Sequence, residues 1–265
     1  ILKNLRGKDF MNLLTAAHTD VGIRKKTNQD SLMVRVADTE YGQVCMAVMC
    51  DGMGGLSKGE LASATLIRLF SSWFDQEFPE ILYRGISPEY LRRNWEQLLY
   101  ETNYRLGSYS NQHQVVMGTT VAALLICANM YYIINVGDSR VYEITDRVCC
   151  LTRDQTVVQR EIDLGNLTPE QAERDPRRNV LLQCIGASSV IDPEFVFGEV
   201  RRNSHFLLCS DGFRHVISNE EIGQVLGPPA VVSEQQMEEN LKYMVELDKY
   251  RREEDNISGI LIRVL

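Results

Sequence analysis

The chain has 265 residues, 44% of them hydrophobic, and a formal net charge of −8 at pH 7. That length allows one large domain with a full core, and eighteen glycines with seven prolines are too few for a fibrous or disordered chain. The acidic balance argues against nucleic acid or an anionic membrane as partner, and no stretch approaches the roughly 18 apolar residues of a membrane helix.

The first ten residues carry Lys and Arg but no apolar signal core. Ile1 does not read as a native start, so residues 1–11 are expected to be an extension or appended remnant ahead of a single domain over 12–265. Residues 13–18, 31–37 and 43–50 are apolar-rich runs between polar turns and read as strands. Ser57 to Glu60 has the pattern of a capping box, with Ala62, Leu66, Leu69, Phe70 and Trp73 following at helical spacing. Ser87 and Pro88 open a second helix with Leu91, Trp95, Leu98, Leu99 and Thr102 on one face. Both stripes read as core.

Residues 119–127, 131–136, 140–144 and 148–151 then read as strands. Their connections are too short to cross over between parallel neighbours, which predicts an antiparallel meander. The polar segment 154–179, with a capping box at Thr168 and Gln171, reads as a solvent-facing flap. Strands at 195–200 and 205–210 follow, then helices at 218–226 and 233–250 and a closing strand at 257–264. Strand runs interrupted by helices predict an α+β fold of antiparallel sheets covered by helices. The cysteines (45, 50, 127, 149, 150, 184 and 209) are odd in number, form no Cys-x-x-Cys pair and lie mostly in apolar runs. Buried free thiols in a reducing, cytoplasmic setting are expected.

Asp51, Asp138, Asp211 and Asp255 each sit where an apolar strand meets a turn, and Asp30 closes Thr27-Asn28-Gln29-Asp30 just before one. Any one of these is ordinary turn chemistry. Asp51-Gly52 and Asp211-Gly212, however, each lead toward a helix and not a return strand. Glycines at 52, 54 and 55 would let the backbone approach an ion. Carboxylates gathered at one edge of the sheets would repel one another and need a cation, and all-oxygen ligation selects Mg²⁺ or Mn²⁺ over zinc. Two such ions can acidify a bridging water and clamp a phosphoryl group for in-line attack, without a protein nucleophile. No cysteine opens a Cys-x₅-Arg loop, and a P-loop and a His-Glu-x-x-His motif are also absent.

Six segments carry a resemblance. They are Thr19-Asp20-Val21-Gly22 with Asn28-Gln29-Asp30, Asp51-Gly52-Met53-Gly54-Gly55, Met117-Gly118-Thr119-Thr120, Val136-Gly137-Asp138-Ser139-Arg140, Leu207 to Gly212, and Asp255-Asn256-Ile257. In this order, over roughly residues 12–265, they resemble the motifs of the metal-dependent type 2C protein phosphatases, bacterial branch. The resemblance implies a sandwich of two antiparallel β-sheets flanked by helix pairs, four layers in all. It also implies hydrolysis of phosphoserine and phosphothreonine in proteins by a metal-bridging water, opposing a Ser/Thr kinase. By it, Asp51 bridges two metals, Gly52 offers a carbonyl, and Asp211 and Asp255 complete one shell. Asp30 holds metal-bound water, and Asp138 with Asp211 holds a weaker third ion. The partners implied are phosphoproteins, among them a Ser/Thr kinase, acted on by a cytoplasmic monomer with a role in signalling.

Two departures stand out. The family's phosphate-binding arginine is replaced by Lys25, with Arg24 adjacent; lysine offers a point charge and no bidentate fork. Met53 stands where many eukaryotic members have a histidine proposed as general acid. The histidines at 18, 113, 205 and 215 have no metal-ligand spacing and are expected in packing or surface roles, His215 being nearest the site. A rival reading keeps the fold but makes it a phosphoprotein-binding module without turnover, which the intact aspartates argue against.

Overall fold

The computed structural model describes residues 11–53 and 58–265. One sheet holds, in spatial order, β1 (Leu13–Asp20), β10 (Ile257–Val264), β9 (His205–Cys209), β6 (Arg140–Ile144) and β7 (Val148–Cys150). The other holds β2 (Ser31–Thr39), β3 (Gly42–Cys50), β4 (Val121–Cys127), β5 (Met130–Val136) and β8 (Glu194–Glu199). Every strand pairing is antiparallel. Helices α1 (Gly59–Gln76), α2 (Phe78–Arg84) and α3 (Pro88–His113) cover the second sheet, while α6 (Asn219–Leu226) and α7 (Glu234–Tyr250) cover the first.

The apolar runs of the central strands follow from this layering. In β3, Val44, Met46, Val48 and Cys50 pack toward α1–α3, and Cys45, Ala47 and Met49 pack between the sheets. A strand covered on both faces has no place for polar alternation. Three apolar layers result: helices on the second sheet around Trp73 and Trp95, the inter-sheet layer, and α6–α7 on the first sheet around Phe213 and Leu241. Trp95 is fully buried, edge-on to Trp73 with ring centroids 5.4 Å apart. Burying such rings contributes roughly 2–3 kcal/mol each.

The expected α+β sandwich is therefore present, with four differences of detail. The meander is divided: β4 and β5 form a hairpin in one sheet, β6 and β7 a hairpin in the other, and residues 137–139 cross between sheets. The turn is short in sequence, but the sandwich ends are close enough for it to change sheets. The helix α2 is an addition to the expected elements; it starts at Phe78 with Pro79 in its first turn and is ended by Gly85, whose φ of 92° leaves the helical region. Helix α1 has Lys58 as N-cap with no side-chain cap bond, and Ser57, where the box was expected, lies outside the described residues, as do Gly54 and Gly55. Met11, placed at the end of the extension, is buried in the inter-sheet layer. The flap contains α4 (Val157–Asp163) and α5 (Pro169–Glu173), and the Thr168–Gln171 capping box forms as expected. All seven cysteines are free, and five of them are buried.

Register brings the aspartates together. Ser31 pairs with Cys50, Val121 with Val136, and both Arg140 and Gly259 with Cys209. The residues just beyond those strand ends, Asp30, Asp51, Asp138, Asp211 and Asp255, thus share one end of the sandwich.

Candidate active site

Backbone and hydroxyl contacts hold the Asp51 turn. The Asp51 N–H donates to Thr120 Oγ1 at 3.0 Å, and the Thr120 N–H donates to the Asp51 carbonyl at 2.9 Å. Thr119 Oγ1 donates to that same carbonyl, and Thr120 Oγ1 bonds Ser139 Oγ at 2.7 Å, joining the Asp51 and Asp138 turns. The Met-Gly-Thr-Thr segment is thus a clamp on two strand ends. At Gly52, a Cβ would meet the Gln29 carbonyl oxygen at 2.5 Å and that of Gly59 at 2.6 Å, so only glycine fits.

Asn256 ties the other side. Its Oδ1 accepts from the Gln29 N–H at 2.9 Å, and its Nδ2 donates to the carbonyls of Val21 and Thr27. Ser258 Oγ donates to Asp30 Oδ2 at 2.6 Å. The Asn28-Gln29-Asp30 loop is thereby fastened to the start of β10.

Burial and mutual repulsion act on these carboxylates. Burial, reinforced by Asp211 and Asp255, pushes Asp30 up to about 7. Burial and Asp211 push Asp138 up to about 7 against the pull of Arg214. Asp51 is driven well above the usual carboxylate range by burial and then by Asp30, Asp211, Asp138 and Asp255. All five carboxylates therefore face a common space, and Asp51 feels the other four. Among the described residues they do not close up into a set of three around a single point.

The basic residues are placed differently from expectation. Lys25 Nζ lies 2.8 Å from Asp255 Oδ1, and burial of its amine is outweighed by Asp255, so its pKa is raised. Arg24 is mostly exposed and pairs with Glu254. Neither stands free for phosphate, but Lys25 pairs with a carboxylate of the cluster, and its ammonium also feels Asp51 and Asp211.

Four participating residues were missed or set aside in the sequence. His215 Nε2 is 3.5 Å from Asp211 Oδ2 and its Nδ1 is 3.4 Å from Glu253 Oε2. Its burial disfavours the imidazolium, but Glu253 and Asp211 raise its pKa nonetheless. His215 thus lies against the carboxylates and is not in the packing or surface role that its spacing suggests. Arg214 Nη2 reaches Asp154 Oδ2 and the Asp138 carbonyl, both at 3.1 Å. The available signal was position: both residues follow Asp211 in one turn, where their N–H groups donate to its carbonyl. His205, by contrast, is buried and bonds the Leu226 carbonyl through Nδ1, a packing role as expected.

The residues fit divalent cations. Asp30 Oδ1 and Asp211 Oδ1 are buried without a hydrogen-bond partner, an arrangement that costs free energy unless a cation completes it. The donor set is all oxygen, which suits Mg²⁺ or Mn²⁺.

Comparison with known proteins identifies the family. The family model for protein phosphatase 2C matches residues 20–247. A protein phosphatase 2C-type protein of Streptococcus pyogenes is 30% identical over 251 residues, covering 92% of this chain and 94% of that protein. The serine/threonine protein phosphatase PstP of Mycobacterium tuberculosis is 28% identical over 94% of this chain, which spans only 45% of PstP. The crystal structure of the PstP catalytic domain in complex with two manganese ions superposes with a TM-score of 0.78 at 26% identity, covering 96% and 99% of the two chains.

Proposed function

The chain belongs to the protein phosphatase 2C family and is a protein-serine/threonine phosphatase, and from that premise we propose how its aspartate-lined end works. The substrates are phosphoserine and phosphothreonine in proteins, and the cofactors are two divalent cations, Mn²⁺ or Mg²⁺. Asp51, the Gly52 carbonyl, Asp211 and Asp255 would hold the pair, with Asp30 in support through water. When bound, the ions supply charge neutralisation at the phosphoryl oxygens and activation of water.

The chain's own residues position and orient. Thr119 and Thr120 fix the Asp51 turn, Asn256 fixes the loop before Asp30, and Ser258 aims the Asp30 carboxylate. Lys25 is the phosphate-binding residue of choice over Arg24, because its ammonium pairs with Asp255 of the cluster whereas Arg24 is exposed on Glu254. No hydroxyl or thiol nucleophile is called for, since phosphoryl transfer needs chiefly positioning and charge stabilisation.

The observation that carries this reading is that five aspartates at strand ends share one end of the sandwich, with Asp30 Oδ1 and Asp211 Oδ1 buried and unpartnered. A kinase of matching specificity must supply the substrates. Seven free thiols support a reducing compartment such as the cytoplasm, and among the described residues no helix is long and apolar enough to cross a membrane. The purified protein should hydrolyse an aryl phosphate with Mn²⁺, lose that activity in EDTA and be nearly inactive as Asp211→Asn. A well-folded sample whose turnover ignores metal would sink the proposal.

A further inference from the structure

We propose that Arg214 is a built-in cation standing where a third divalent ion would bind at Asp138, so that this chain binds two ions and not three. The inference rests on the two-ion reading above and concerns only Asp138 and its neighbours.

Arg214 Nη2 lies 3.6 Å from Asp138 Oδ2 and also donates to the Asp138 carbonyl at 3.1 Å. The same nitrogen is 3.1 Å from Asp154 Oδ2. Arg140 grips Asp154 from the other side with two bonds, Nε to Oδ1 at 2.7 Å and Nη2 to Oδ2 at 2.8 Å. Arg140 is itself held by Tyr142, whose hydroxyl accepts from Nη1 at 2.8 Å. The result is an alternating chain of charge, Arg140, Asp154, Arg214 and Asp138, with as many positive groups as negative.

This network is buried. Side-chain exposure is 12% for Arg214, 8% for Asp138 and 10% for Asp154. A guanidinium cannot lose its proton to make way for an ion. Swinging it out would leave Asp138 bare and Asp154 with one partner, and an unpaired buried charge is strongly unfavourable. A third ion would also need Asp211, whose Oδ2 already faces His215 Nε2 at 3.5 Å. Both carboxylates expected at that ion therefore carry a nitrogen of the chain. The local turn places both residues beside Asp211, since the N–H groups of Arg214 and His215 donate to its carbonyl at 3.0 and 3.1 Å.

Asp138 then acts as a positioning residue and not as a metal ligand. Through Arg214 it ties the crossover between the sheets to Asp154, at the root of the flap. Two ends of the chain's charge network meet there.

The test is a direct count of bound metal. Equilibrium dialysis of the whole chain against rising Mn²⁺, with metal and protein both quantified, should saturate at two ions per wild-type chain. Arg214→Gln and Arg214→Ala should reach three, the added site being the weakest. Saturation of the wild type at three overturns the inference while leaving the two-ion reading intact, as does a folded Arg214→Gln that still stops at two. Fewer than two ions in the wild type overturns both. The wild-type count decides even where a variant does not fold.

Discussion

Lys25 is paired with Asp255, Nζ to Oδ1 at 2.8 Å, so the basic residue expected on substrate phosphate lies against a carboxylate expected on a metal ion. In the proposed site a metal ion held by Asp255 would neutralise it and free the Lys25 ammonium for phosphate. Arg24 lies outside this exchange, on exposed Glu254. Lys25→Ala should raise KM for an aryl phosphate about tenfold at saturating Mn²⁺, the scale of one lost charge-assisted hydrogen bond. Arg24→Ala should stay within about twofold, as expected for an exposed ion pair. A raised KM in neither variant would remove Lys25 from the site.

Asp51 is driven well above the usual carboxylate range by burial and then by its acidic neighbours. Asp51→Asn removes one charge from the cluster and should raise the metal-free melting temperature by a few degrees, on the order of 1 kcal/mol for a chain of this size. It should also abolish the stabilisation that Mn²⁺ gives the wild type, about 2.7 kcal/mol at a hundredfold excess over Kd. Thermal melts in EDTA and in Mn²⁺ check both arms. An Asp51→Asn protein that Mn²⁺ still stabilises fully would place the ions elsewhere.

Metal-free stability should fall with rising pH. Asp30 and Asp138 are raised to about 7, while the unfolded chain has ordinary carboxyls near 3.8. The folded form therefore holds protons that the unfolded form has released. Their contribution is complete below the unfolded pKa and is lost as pH rises through about 7. Asp248, pushed up to about 9 by burial and then Glu253, extends the loss upward. Melts in EDTA should decline by several degrees between about pH 5 and about pH 8. Saturating Mn²⁺ should flatten or invert the slope, because ions bind the ionised carboxylates. A flat or rising trend in EDTA would contradict the shifts.

Gly212→Ala should cost more activity than its size suggests. A Cβ there would lie 2.2 Å from the Asn256 carbonyl oxygen, inside the contact that sets Asp211 beside Asp255. The chain must move one of those loops, and a misplacement of about 1 Å can reduce turnover a hundredfold. Steady-state kinetics with circular dichroism separates this from unfolding. Wild-type kcat in a folded Gly212→Ala would show that the two loops need not touch.

Much of the fold was legible because its signals are local. Capping at Thr168, the helical spacing of Leu91, Trp95 and Leu99, and the apolar runs of β3 and β4 all depend on neighbours a few residues away. The splitting of the meander was not legible, because a three-residue turn reads the same within one sheet or between two. Helix α2 was hidden between two longer helices by its short length and by Pro79.

By itself, the sequence determined the element types and which aspartates end strands, and the order of its motifs pointed to the family. The tertiary structure alone decided what those aspartates face. Arg214 meets Asp154 across 60 residues and Asp138 across 76, and Lys25 meets Asp255 from the far end of the chain. Such pairings are set by sheet register and by the closing of the sandwich, so no local pattern encodes them. Their charges interact at short range in a buried or half-buried setting, where each contact decides which cation of the chain a carboxylate meets.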